Sequence, residues 1–181
     1  MIQNITIITG RKGEGKTTFV KELINIFRTN GHKICGLYSP GIYENGKKIG
    51  INVVNLTNGE KRLLALHDPG WDPDKPIREW RFIDESMNWG NEILENQGQN
   101  CGILIIDEIG YLELEKNQGW NAIFDMIQRG YYKQAFIVIR ESLLDKALSF
   151  WNDARVVFID KIDEREKFLK EEVKRYQLLS N

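Results

Sequence analysis

The run Gly10-Arg11-Lys12-Gly13-Glu14-Gly15-Lys16-Thr17 satisfies G-x-x-x-x-G-K-[ST] at every fixed position. Glycines at these places let the backbone turn so tightly that successive N–H groups face inward as an anion-binding nest. A helix opening near Lys16 aims its positive end at the same anion. Lys16 supplies a cation for the β- and γ-phosphates of a nucleoside triphosphate, and the Thr17 hydroxyl is a ligand suited to magnesium. At average residue usage such a match arises by accident in roughly one chain in a hundred or fewer. The alternative, a glycine turn with no ligand, is disfavoured further by the strand before the motif and the helix after it. The predicted phosphate-binding loop is therefore Gly10, Arg11, Lys12, Gly13, Glu14, Gly15, Lys16, Thr17 and Thr18.

A second constellation lies at Ile103-Leu104-Ile105-Ile106-Asp107-Glu108. An acid at the C-terminal end of a buried strand stands where open α/β sheets bind ligands. Asp107 is the predicted magnesium acid, directly or through water, and Glu108 the predicted base that polarises an attacking water. The competing reading of Glu108 is a surface acid that merely follows a strand. Arg140 ends another apolar run, Ala135 to Ile139. It either steadies charge on the γ-phosphate, as an arginine finger in cis does, or forms a structural ion pair with Glu141 or a nearby acid. The predicted catalytic set is Lys16, Glu108 and Arg140, with Thr17 and Asp107 holding the metal. Trp71, Trp80, Trp89 and Trp120 read as core or loop anchors rather than as a base-stacking platform, and Tyr43 is equally ambiguous. His32 and His67 have no ligand partners in the sequence.

These residues need a scaffold that brings strand ends together. Ile5 to Thr9 is a short β-branched run ending in glycine, which predicts a buried parallel strand. From Lys16 the period changes, and Phe19, Val20, Leu23, Ile24 and Phe27 fall on one helical face that stops near Asn30-Gly31. A strand is expected over Lys33–Ser39. Asn45-Gly46 and Asn58-Gly59 are hairpin signals, so Gly41 to Leu66 reads as an antiparallel meander. His67 to Trp80 reads as an irregular loop over the sheet. Helices are expected over 83–96, 120–128, 142–150 and 163–179, and strands over 102–107, 135–140 and 155–159. Strands alternating with helices predict one three-layer α/β domain over residues 1–181, with a mainly parallel sheet and an antiparallel hairpin extension.

Composition sets limits on partners. A chain of 181 residues with 41% apolar and 28% charged residues and a net charge of −1 has the makeup of a single globular domain. It lacks the basic excess of a general nucleic-acid binder. No segment has the length and apolarity of a membrane span, and the first residues do not look like a signal peptide. A cytoplasmic location is expected. Cys35 and Cys101, far apart and without C-x-x-C spacing, are expected to be buried, reduced thiols.

ITGRKGEGKTT, the following GLYSPGIYENGKKIGINVVNLTNGE, and IIDEIGYLEL together resemble the thermophilic nucleoside-triphosphatase family, the small P-loop proteins that include the cancer-related nucleoside-triphosphatase. The likeness covers the first two thirds of the chain in sequence and the rest in length and order. It implies a RecA-like or kinase-like sheet and slow magnesium-dependent hydrolysis of ATP, GTP, CTP and UTP with little base selectivity. It carries over the phosphate loop, Asp107 as the magnesium acid and Glu108 as the base, and it matches Glu113 to a family position with no evident role. Where many relatives have Val-Arg this chain has Ile42-Tyr43, Tyr111 replaces a basic residue, and Lys48 stands where arginine is frequent. An arginine finger from that hairpin is thus in doubt, which leaves Arg140 as the candidate in cis. Two other functions fit a phosphate loop: a nucleotide-dependent switch or assembly factor, and a small-molecule or nucleoside kinase. The kinase would draw its lid arginines from Arg78 and Arg81.

Overall fold

The computed structural model describes residues 4–72, 74, 79–98 and 101–177. The core strands are β1 (Ile5–Thr9), β2 (Ile34–Tyr38), β7 (Ile103–Ile109), β8 (Gln134–Ile139) and β9 (Arg155–Phe158). They run parallel in the order β2-β7-β8-β1-β9. The strand that carries the phosphate loop is thus separated from the strand that carries the acids by β8.

Both faces of this parallel sheet are apolar because both are covered. Alternate residues of each strand point to opposite layers. Ile103 and Ile105 of β7, with Phe136 and Val138 of β8, pack under helix α1 (Lys16–Thr29) through Phe19, Val20, Leu23 and Phe27. Leu104, Ile106, Ile137 and Ile139 face the other way. There they meet α2 (Asp84–Glu95), α4 (Ala122–Arg129) and α5 (Leu144–Phe150), through Trp89, Leu94, Ile123, Met126 and Ala147. The last helix, α6 (Ile162–Gln177), is charged outward but lays Phe168 against Phe19 and Phe136, with ring centres 6.1 and 6.2 Å apart. Its predicted end, Leu179, lies outside the described residues. Among the described residues no helix is long and apolar enough to cross a membrane.

The antiparallel extension is built on β2. Strands β3 (Gly41–Glu44), β4 (Lys47–Asn55) and β5 (Lys61–His67) form the meander expected from the two Asn-Gly turns. The C-terminal half of β4 pairs with β2, joining the meander to the parallel sheet. The extension has one strand more than expected. Trp80–Phe82 forms β6 and pairs with β5, so the segment read as an irregular loop up to Trp80 ends in a strand. A short helix, α3 (Tyr111–Lys116), was also not anticipated, because Gly110 immediately after β7 reads as a turn.

Cys35 and Cys101 are buried as expected, but they form a disulfide, with Cα atoms 5.6 Å apart. The expectation of reduced thiols is corrected by the sheet register. Parallel pairing of Cys35 with Leu104 brings residue 101, just before β7, beside β2. A separation of 66 residues along the chain gave no sign of this.

Candidate active site

The phosphate loop closes between β1 and α1. Gly13 and Gly15 take φ values of 89° and 83°, in the left-handed region that an L side chain enters only at a cost. Gly15 is the N-cap of α1, no side chain caps the helix, and its first turn holds no acid. Most helices satisfy their first N–H groups with Ser, Thr, Asp or Asn. Here those donors and the positive end of the helix dipole are left for an external anion. Lys16 is buried and folds back over the loop, its Nζ donating to the carbonyls of Gly10 and Arg11, both at 2.8 Å. Burial lowers its pKa, while the carboxylates of Glu108 and Asp107 act in the opposite direction.

Facing the loop, Asp107 is 1% exposed. Its Oδ2 accepts the backbone N–H of Ser39 at 3.2 Å, and its Oδ1 accepts the Thr17 hydroxyl at 3.4 Å. Burial pushes its carboxyl up to about 7, with the neighbouring Glu108 adding to the rise and the two hydrogen bonds opposing it. A desolvated carboxylate beside a hydroxyl is a hard-oxygen donor pair. It fits a small divalent cation, whose charge would compensate the burial.

Glu108 is positioned by an irregularity in the ladder. Ile106 pairs with Ile137 and Ile109 with Ile139, so Asp107 and Glu108 together oppose the single residue Val138. Such a bulge redirects side chains. Glu108 sits at φ 87°, a conformation that costs a non-glycine residue roughly 1–3 kcal/mol. The bulge aims Asp107 at α1 and brings Glu108 to Arg140 at the end of β8, where the guanidinium Nε donates to the Glu108 carboxylate. The ion pair expected of Arg140 with Glu141 or a nearby acid is made with Glu108, while Glu141 lies 3.9 Å from Arg11.

The structure therefore brings Lys16, Thr17, Asp107, Glu108 and Arg140 to one edge of the sheet. It also brings in Ser39 and Glu79, which the sequence did not single out. The Ser39 N–H holds Asp107. Glu79 pairs with Lys12 of the phosphate loop at 2.6 Å, and Lys12 lies 5.8 Å from the centre of the Trp71 ring. Trp80, the next residue, stacks edge-on with His67 and carries the Lys48 ammonium over its ring at 4.9 Å. Trp89 and Trp120 are core residues, as expected. Arg81 pairs with Asp68 at 3.5 Å, and Arg78 lies outside the described residues.

Glu113 now has a role. Its two carboxylate oxygens accept the N–H groups of Gly110 and Trp120, each at 2.9 Å. It thereby caps α3 and ties down the turn that follows Glu108.

A phosphate loop on β1, consecutive acids on β7 and a strand between them define a P-loop nucleotide-binding protein. The comparisons agree. A family described as NTPase matches residues 5–173, and the chain belongs to that family. It is 32% identical to the nucleoside-triphosphatase THEP1 of Methanopyrus kandleri over 137 residues, 75% of this chain and 72% of that one. It is 30% identical to the cancer-related nucleoside-triphosphatase homolog of Mus musculus over 128 residues, 66% of this chain and 67% of that one. In fold it matches the solution structure of a human cancer-related nucleoside triphosphatase, with a TM-score of 0.69, 20% identity, and coverage of 96% of this chain and 97% of that one.

Proposed function

We propose that this protein hydrolyses the γ-phosphate of nucleoside triphosphates, ATP, GTP, CTP and UTP alike, with magnesium as cofactor. The observation that carries the reading is the placement of Glu108. A bulge and a left-handed backbone present its carboxylate one residue beyond a buried acid that faces the phosphate loop.

In this reading the N–H groups of the loop and the first turn of α1 bind the β- and γ-phosphates. Lys16 exchanges its two carbonyl partners for phosphoryl oxygens. Thr17 and Asp107 would hold magnesium, whose charge would offset that developing on the phosphoryl oxygens. Arg140 orients Glu108 through their ion pair. Glu108 then accepts a proton from water as the water oxygen bonds to the γ-phosphorus and the P–O bond to the β-γ bridging oxygen breaks, giving a nucleoside diphosphate and inorganic phosphate. Backbone donors that read only phosphate support low base selectivity.

The test is phosphate release from the four nucleotides with magnesium, compared with Glu108→Gln. Comparable turnover on all four is expected, falling about 100-fold or more in the variant while nucleotide binding is retained. Unchanged turnover in the variant would sink the assignment of Glu108. Wild-type binding without any release would sink hydrolysis.

A further inference from the structure

Several cations surround the site, and most of them have oxygen partners. Lys16 is on two carbonyls, Lys12 on Glu79, Arg140 on Glu108, and Arg11 lies near Glu141. Lys48 differs. Among the described residues it has no hydrogen bond or ion pair, and its ammonium rests over the face of Trp80 at 4.9 Å. The β3–β4 ladder slips between Ile42 and Tyr43, and Lys48 pairs with Tyr43 beyond the slip. Its stem lies across Gly41, where an added Cβ would be 2.8 Å from the lysine Cε.

That hairpin is anchored to the site. Ser39, two residues before Gly41, donates to Asp107, and the carbonyl of Pro40 accepts the N–H of Asn52 on β4 at 2.9 Å. Trp80 follows Glu79, which holds Lys12 of the phosphate loop. The charges that act on the Lys48 ammonium are those of the site: Glu108, Asp107 and Glu79 attract it, and Arg140 repels it. In the hydrolytic reading, the side of the site occupied by Glu108 is the side from which water approaches the γ-phosphorus.

We propose that Lys48 is a catalytic residue that contacts the γ-phosphoryl oxygens from the antiparallel extension and stabilises the charge they gain in the transition state. The proposal rests on the hydrolytic reading above. Lys48 keeps its proton throughout and acts by charge alone. Arg140, engaged with Glu108, is left to position the base. Lys48 thus takes from the hairpin the role that an arginine finger fills elsewhere.

The test compares wild type with Lys48→Ala, Lys48→Arg and, as a control on the same strand, Lys47→Ala. Readouts are single-turnover phosphate release, affinity for a non-hydrolysable ATP analogue and for ADP, and trapping of ADP by aluminium fluoride with magnesium. Lys48→Ala is expected to slow release about 100-fold or more. It should also lose fluoroaluminate trapping while ADP affinity stays unchanged. Lys48→Arg should recover both release and trapping in large part, and Lys47→Ala should match wild type. Trapping and turnover at wild-type levels in Lys48→Ala would overturn the proposal, as would loss of ADP affinity in step with turnover. If wild type binds nucleotide but releases no phosphate, hydrolysis fails separately. Lys48 is then judged by the preference for the triphosphate analogue over ADP, which Lys48→Ala must abolish and which, if kept, overturns the contact.

Discussion

Asp107 and Glu108 are neighbours in sequence with opposite environments. One is sealed beneath the phosphate loop and the other is paired at the rim. Burial raises the Asp107 carboxyl from 3.8 to about 7, so the folded chain takes up a proton there more readily than the unfolded chain. The resulting contribution to stability is complete below the unfolded value and is lost as pH rises through the folded one. Urea unfolding without magnesium should therefore show wild type losing ground to Asp107→Asn between about pH 4 and pH 7. Magnesium with nucleotide should reverse that order, because a bound cation favours the ionised carboxylate. Parallel stability curves for the two proteins would contradict this account.

At the scale of elements, α3 is a short helix of six residues next to the site, and one carboxylate ties down both its start and the turn after it. Glu113 satisfies donors at both ends of the 110–120 segment. Glu113→Ala leaves those N–H groups without their acceptor and should cost about 1–3 kcal/mol in denaturant unfolding. Because α3 starts two residues after β7 ends, turnover should fall as well. Gly119→Ala provides an independent check. A Cβ there would stand against Glu113 Oε1, at a residue with φ 74°, so the variant should reproduce the Glu113→Ala phenotype. Full stability in both variants would rule out the capping role.

At the scale of the molecule, binding chemistry and covalent reinforcement occupy opposite ends of the parallel strands. Phosphate loop and acids lie at the C-terminal ends, while the Cys35–Cys101 bridge joins β2 to the entry of β7 at the other. Replacing both cysteines by alanine should lower unfolding stability by about 2–4 kcal/mol. Phosphate release at 25 °C should be unaffected. A loss of catalysis beyond the loss of folded protein would show that the two ends are coupled. The same contrast explains what was legible in the sequence. The phosphate loop and the Asp-Glu pair are contiguous, and their spacing alone states their chemistry. The placement of Lys48 over Trp80, the pairing of Glu79 and the disulfide depend on which strands pair and in what register, and one sequence does not reveal that. The strand β6 was hidden because Trp80 follows a segment rich in Pro and Asp, and α3 because Gly110 resembles a turn. The role of Glu113 required two backbone donors that only the folded loop brings within reach.

The strand β8, placed between β1 and β7, sets a distance. Neighbouring strands lie about 4.8 Å apart, so the backbone of Glu108 is offset by roughly 10 Å from the strand that leads into the phosphate loop. In the proposed reaction a carboxylate so placed acts through one intervening water and does not itself bond to phosphorus. The chirality of the product follows. A single displacement by water inverts the γ-phosphorus, so a triphosphate made chiral there with sulfur and oxygen isotopes should yield thiophosphate of opposite handedness, whereas retained handedness would mean that a phosphorylated side chain had formed on the way.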